Sequence, residues 1–164
     1  MADSRREPVL VIGVGNELRG DDGLGIAVVR RLAERAAGLP IDLEEEQSDP
    51  TALLLRWRGR RAVVLVDAVT GSPGQVYRFD ASGQALPREL RLSTSSHAVG
   101  LDEAIELDRA LGQLPPRVIV YAVGGASFDA GVGLSAELAV ALPELTDRVL
   151  TEALALAQAG SSST

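Results

Sequence analysis

The sequence has no cysteine among its 164 residues. This absence excludes disulfide bonds, thiolate nucleophiles and thiolate metal sites together. Aromatic residues make up only 3% of the chain and histidine occurs once, so the core must be aliphatic and an imidazole can act at one position only. No apolar run reaches the roughly 18 residues of a membrane span. We therefore expect a soluble, cytoplasmic protein.

Positive charge is in the minority as well. The chain carries 16 Lys and Arg against 23 Asp and Glu, a net charge of −7. Such a surface repels phosphate backbones, so we expect no nucleic-acid partner. The length and the 46% hydrophobic content fit one domain with a real core. We take residues 1–164 as that domain, with 1–7 and 160–164 as disordered termini.

Apolar runs of strand length alternate with segments of helical periodicity. The predicted strands are Val9–Val14, Ile41–Glu46, Ala62–Asp67, Gln75–Phe79 and Arg117–Val123. The predicted helices are Gly23–Ala37, Pro50–Trp57, Ala98–Leu111 and Leu134–Ala159. This alternation favours an α/β fold with a mostly parallel, roughly five-stranded sheet and helices on both faces. We expect the fourth strand near an edge, in antiparallel orientation.

The segment VLVIGVGNELRGDDGLG, from Val9 to Gly25, has the pattern of a buried strand, a tight loop and a helix. The loop carries the two carboxylates Asp21 and Asp22. Open α/β sheets bind their ligands at the carboxyl ends of strands. The loop is therefore the first candidate for a functional site.

Two further residues point to the same edge of the sheet. Asp67 is the last residue of the third predicted strand, and His97 precedes a predicted helix. The first and third strands of a parallel sheet can be neighbours, which would bring Asp22, Asp67 and His97 together. Two carboxylates and an imidazole suit a borderline cation such as Zn²⁺ or Ni²⁺. The helix N-terminus would keep His97 in the neutral, metal-binding form.

Simpler interpretations exist for each position. Asp67 could form a turn, His97 could be a solvated loop residue, and one of Asp21 and Asp22 could cap the following helix. GVGNEL is a poor dinucleotide fingerprint, because Leu18 stands where the third glycine belongs. The serines at 93, 95 and 96, beside His97, suggest a serine hydrolase, but the sequence has no G-x-S-x-G elbow.

Four segments, in the same order along the chain as in the family, resemble segments of the hydrogenase maturation endopeptidases. They are VIGVGNELRGDDGLG, VVLVDAV around Asp67, SSHAVGL around His97 and GVGLSAEL late in the chain. The resemblance implies a single-domain, three-layer α/β/α sandwich. It also implies that the second acidic residue of the D-[DE]-x-x-G motif, the strand-end Asp and the His contact the metal. These positions are Asp22, Asp67 and His97.

The same resemblance implies an aspartyl-endopeptidase-like hydrolase that removes the C-terminal extension of a [NiFe]-hydrogenase large-subunit precursor. In that case nickel arrives with the precursor, and no organic cofactor is needed. Asp22, Asp67 and His97 would recognise the nickel and form the catalytic site, with Asp22 or Asp67 as the base.

The sequence departs from the family at two places. The segment EEEQSDPTALL stands where many members have a D-G-G-T-type segment, so that Gln47, Ser48 and Asp49 fill that region. GGASFDAG, after the last strand, lacks the proline and glutamate common there. Both departures point to a subgroup that serves its own hydrogenase.

Two other functions remain open from the sequence. The three residues could hold a resident metal in a hydrolase of small substrates. They could also form a non-catalytic module that binds the nickel centre of the precursor without cleaving it.

Overall fold

A five-stranded sheet forms the middle layer of the protein. The computed structural model describes residues 7–47, 49, 51–87, 100–160 and 162. The strands are β1 (Val9–Val14), β2 (Ile41–Glu46), β3 (Ala62–Thr70), β4 (Val76–Asp80) and β5 (Arg117–Gly125). Their order is β2-β1-β3-β5-β4. All neighbours are parallel except β4 and β5, which confirms the antiparallel edge strand.

Helices cover both faces of this sheet. They are α1 (Leu24–Ala33), α2 (Ala52–Trp57), α3 (Leu101–Ala110) and α4 (Ala136–Ala159). Helices α1 and α4 share one apolar cluster with the sheet, and α2 and α3 share the other. The predicted fold class, a three-layer α/β/α sandwich with a mostly parallel sheet, is therefore confirmed. No helix in the described part of the chain has the length and apolar character needed to cross a membrane.

The central strand β3 shows why its sequence is continuously apolar. Val64 and Val66 pack toward α1 and α4, whereas Val63 and Leu65 pack toward α2 and α3. Successive side chains of a strand point to opposite faces, so both sets are buried at once. By the same alternation, Asp67 belongs to the face covered by α2 and α3.

Strand β2 lies at the other edge of the sheet, where its alternating acids are paired with arginines. Arg60 donates to Asp42 at 2.6 Å. Arg56 donates to Glu44 at 2.6 Å and to Glu46 at 2.9 Å. Charged, partnered side chains on an edge strand discourage pairing with a further strand.

Several helix boundaries differ from the sequence prediction, most of all those of the first helix. The first helix is preceded by a 3₁₀ turn over Gly20–Gly23, and α1 ends at Ala33 instead of Ala37. The Glu34 N–H donates to the Arg31 carbonyl, three residues earlier. This is the 3₁₀ pattern that is common in the last turn of an α-helix. Helix α4 runs through Pro143 as a single element of 24 residues.

Some predictions lie outside the described residues. They concern the predicted helix start at Ser48 and Pro50, the segment from 88 to 99 with His97 and its neighbouring serines, and most of the expected disordered termini.

Candidate functional site

The loop after β1 folds back tightly on itself. Gly15 has a φ of +139°, and a Cβ atom there would lie 1.9 Å from the backbone oxygen of Asp22. Only glycine is free of both constraints. The Asn16 side chain accepts a hydrogen bond from the Leu18 N–H at 2.9 Å, a local turn that asparagine favours. The chain then enters the 3₁₀ turn that holds Asp21 and Asp22.

Two other glycines place this turn against the sheet. A Cβ atom on Gly13 would lie 2.1 Å from the carbonyl oxygen of Gly25, and one on Gly25 would lie 2.3 Å from that of Val66. The first turn of α1 therefore packs directly onto the backbones of β1 and β3. The close packing fixes where the loop between β1 and α1 can run.

Asp22 lies inside this folded loop. Its side chain is buried, with the whole residue only 5% exposed. Its Oδ2 accepts a hydrogen bond from the Asn16 N–H at 2.9 Å. The carboxylate is thus held at the carboxyl end of β1, close to the neighbouring strand β3.

Asp67 lies within β3 and does not end it, so the prediction of a strand-terminal residue was wrong. The ladder between β1 and β3 ends at the pair Gly13 and Val66. The ladder between β3 and β5 continues to Thr70. Asp67 is the first residue of β3 beyond its pairing with β1. Asp67 therefore lies near the carboxyl end of β1, as predicted, but β3 is three residues longer than predicted.

Burial and charge act together on the Asp67 carboxyl. Desolvation raises its pKa well above the usual range, and the negative charge of Asp22 raises it further. A hydrogen bond from the Ala68 N–H to Oδ1, at 2.8 Å, opposes this shift. The two carboxyls are therefore electrostatically coupled. A cation between them would stabilise both charges and displace a proton.

His97 lies outside the described residues, so the structure brings together two of the three predicted site residues. Helix α3 begins at Leu101, with Gly100 as its N-cap, and packs on the face that carries Asp67. Within the described ranges, no three His, Cys, Asp or Glu side chains form a group that could hold a metal ion. The assignment of Asp22, Asp67 and His97 stays a prediction.

Asp21 has a different role from the one expected for an acid before a helix. Gly23 is the N-cap of α1, with no side-chain hydrogen bond, so neither Asp21 nor Asp22 caps that helix. The Asp21 carboxylate instead accepts three backbone N–H groups of the loop between β5 and α4. The donors are Ala126 at 2.7 Å, Ser127 at 3.1 Å and Ser135 at 2.7 Å. Burial alone would raise the pKa of Asp21, but these donors and the Ser135 side chain lower it overall.

Glu17 is an ion-paired residue of the same loop. Arg30 donates to it at 2.7 Å, and this contact is the main cause of its lowered pKa. Gln47 also contacts Glu17, at 3.4 Å. Gln47 belongs to the segment that departs from the family pattern, and it contacts the loop that carries the candidate site.

Glu46 is a buried acid that the sequence did not single out. It is 4% exposed, ends β2 opposite Val14 and is paired with Arg56. Its carbonyl accepts the Gly15 N–H at 3.0 Å. The only signal in the sequence is its position at the end of the EEE run, which does not show that the third glutamate is buried.

Comparisons with known proteins agree with this architecture. A family model described as hydrogenase maturation protease matches residues 26–152. The protein FrxA of Pyrococcus furiosus is 29% identical over 136 residues, covering 80% of this chain and 95% of FrxA. The hydrogenase 2 maturation protease of Escherichia coli is 24% identical over 147 residues, covering 87% of this chain and 88% of that protein.

A solved structure shares the fold. The crystal structure of a [NiFe] hydrogenase maturation protease, HycI from Thermococcus kodakarensis, aligns with a TM-score of 0.69 at 21% identity. The alignment covers 92% of this chain and 94% of that one. The family match spans most of the chain, including most of α1, every strand after β1 and most of α4.

Proposed function

Since this chain belongs to the hydrogenase maturation protease family and is a peptidase, we propose that it removes the C-terminal extension of a [NiFe]-hydrogenase large-subunit precursor after nickel insertion. Asp22, Asp67 and His97 recognise the nickel of the precursor. The nickel arrives as part of the substrate. The similarity of the fold to a [NiFe] hydrogenase maturation protease of Thermococcus kodakarensis supports this class of substrate.

The observation that carries the proposal is the coupling of two buried carboxyls at one edge of the sheet. Asp22 and Asp67 are 5% and 4% exposed, and the charge of Asp22 raises the pKa of Asp67. Two carboxylates in such surroundings repel each other, so one of them favours its protonated form unless a cation lies between them. Nickel in the precursor supplies that cation, so docking becomes favourable only when the metal is present.

The same coupling suggests how cleavage can depend on nickel. Before docking, burial and Asp22 favour the protonated form of Asp67. When nickel docks, the carboxyl loses its proton and becomes a ligand or a base. General bases with raised pKa values operate efficiently near neutral pH. A metal-polarised carbonyl or water would then react beside it.

The experiment is an intact-mass measurement of the large-subunit precursor after incubation with the protein. Nickel-loaded and nickel-free precursor are each treated with the wild type, His97→Ala and Asp67→Asn. We expect loss of the C-terminal extension only with nickel and only with the wild type.

Asp80→Asn is the matched control for Asp67→Asn. Asp80 ends β4, which is antiparallel to β5, so it lies toward the opposite end of the sheet. The pKa of Asp80 is lowered, chiefly by a hydrogen bond with the side chain of Ser82. This variant should cleave as the wild type does. Equal cleavage of nickel-free precursor, or normal cleavage by Asp67→Asn, would overturn the proposal.

A further inference from the structure

We propose that Asp21 is a positioning residue that acts through Asp22 by fastening the loop after β1 to the loop after β5. This inference rests on the proposed function, because it assumes that Asp22 contacts the nickel-loaded precursor. Asp21 itself touches no substrate in this account. Its task is to hold the turn that aims Asp22.

The contact joins segments that are far apart in the sequence. Asp21 accepts N–H groups of Ala126, Ser127 and Ser135 at 2.7, 3.1 and 2.7 Å. Its own N–H donates to the Ser127 carbonyl at 2.9 Å. Since β3 lies between β1 and β5 in the sheet, this connection reaches across the end of β3.

Two backbone hydrogen bonds strengthen the same junction. The Gly20 N–H donates to the Gly131 carbonyl at 2.8 Å, and the Gly131 N–H donates to the Leu18 carbonyl at 2.8 Å. Arg19 and Gly131 form a short parallel bridge. The loop before the 3₁₀ turn and the turn itself are therefore both anchored to the loop after β5.

The local geometry separates the tasks of the two aspartates. A 3₁₀ helix has about three residues per turn, so successive side chains point roughly 120° apart. Asp21 is directed to the loop after β5, where it is fully buried. Asp22 is directed back to the Asn16 N–H and into the electrostatic field of Asp67.

Asn cannot replace Asp21 without a conflict. The carboxylate offers acceptors on both oxygens, Oδ2 to Ala126 and Ser127 and Oδ1 to Ser135. An amide has one acceptor and one donor, so its NH₂ group must face an N–H on one side. The turn then shifts away from the loop after β5, and Asp22 shifts with it.

The test is a double-mutant cycle on cleavage of the nickel-loaded precursor. The variants Asp21→Asn, Asp22→Asn and the double variant are compared by kcat/KM, measured from intact masses. Misplacement of a reacting group by 1 Å can cost about 100-fold, so we expect Asp21→Asn to lose about 10- to 100-fold. In the Asp22→Asn background, Asp21→Asn should cost less than about threefold, because the residue through which it acts is already lost.

Glu152→Gln is the matched control. The Glu152 carboxylate also accepts three hydrogen bonds, two from Arg78 at 2.7 and 2.9 Å and one from Tyr121 at 2.8 Å. It lies on α4 and contacts β4 and β5. This variant should lower the melting temperature without a comparable loss of kcat/KM.

Ser135→Pro provides a second route if Asp21→Asn does not fold. Ser135 has a φ of −58°, which proline adopts, and the substitution removes one N–H donor to Asp21. Ser135→Ala keeps that N–H but removes the N-cap side chain, which also contacts Asp21. We expect Ser135→Pro to lower kcat/KM more than Ser135→Ala does.

The outcomes separate the two proposals. Additive losses in the double variant, or Asp21→Asn cleaving as well as Glu152→Gln, would overturn the positioning role while leaving the proposed function in place. Absence of cleavage by the wild type, or full activity of Asp22→Asn, would overturn the proposed function and the positioning role with it.

Discussion

Replacing Asp67 with asparagine should make the folded protein more stable at neutral pH while removing its activity. The Asp67 carboxyl is buried and lies in the field of Asp22, and both effects raise its pKa in the folded state. In the unfolded chain the carboxyl has an ordinary pKa near 3.9. The folded state therefore keeps this proton to a higher pH than the unfolded state does.

The sign of the effect follows from linkage. Where the folded state binds more protons, stability falls as pH rises. This loss begins near the unfolded-state pKa and continues up to the raised folded-state pKa of Asp67. Each unit of difference between these two values costs about 1.4 kcal/mol of unfolding free energy. Asparagine carries no such cost, and its side-chain oxygen can still accept the Ala68 N–H.

The assay is thermal unfolding of the wild type and Asp67→Asn between pH 4 and pH 8. For a chain of this length, 1 kcal/mol corresponds to a shift of about 2–4 °C in Tm. We expect Asp67→Asn to melt higher at pH 7 and the two curves to converge near pH 4. Stabilisation by removal of a functional group is a common trade-off at active sites.

For Asp80→Asn we expect the opposite change in stability with pH. The pKa of Asp80 is lowered in the folded state, so its ionised form stabilises the protein above the unfolded-state pKa. This stability disappears as pH falls through the lowered folded-state pKa. Because Asp80 is 46% exposed at its side chain, the effect should stay below about 1 kcal/mol. A Tm for Asp67→Asn that is lower than wild type at pH 7, or a difference independent of pH, would refute the reasoning.

Two further predictions concern packing around the site. Gly25→Ala places a Cβ atom 2.3 Å from the Val66 carbonyl oxygen, so it should destabilise the fold by about 1–3 kcal/mol or more in denaturant unfolding; an unchanged midpoint would contradict the close helix–strand contact. Trp57→Phe removes the 2.6 Å hydrogen bond to the fully buried Asp108 and should cost about 1–3 kcal/mol. Trp57→Phe in an Asp108→Asn background should cost less, and equal costs in both backgrounds would argue against this pair.

The sequence was sufficient for the layers and for most strands. Apolar runs such as Val9–Val14 become buried strands in the structure, and the Gln75–Phe79 run was recognised as an antiparallel edge strand. The prediction of the end of β3 was wrong, because Asp67 was interpreted as the last residue of the strand. The strand continues, and Ala68 and Val69 are also buried. A carboxyl side chain inside a buried central strand is exceptional, and here it belongs to the candidate site.

The proximity of Asp22 and Asp67 was accessible from topology, because adjacent parallel strands end at the same edge. The role of Asp21 was not accessible. Its three donors lie 105, 106 and 114 residues away in the chain, and nothing in their sequence marks them as partners of a carboxylate. Glu46 was missed for a related reason, since its burial depends on Arg56 of a neighbouring helix.

The most direct test of the central claim is a competition in one tube. Nickel-loaded and nickel-free large-subunit precursors, distinguished by isotopic mass labels, are mixed with the wild-type protein and followed by intact-mass spectrometry. We predict that the nickel-loaded form alone loses its C-terminal extension, as expected if Asp22 and Asp67 dock on the metal. Loss of the extension from both forms at equal rates would contradict nickel recognition by these residues.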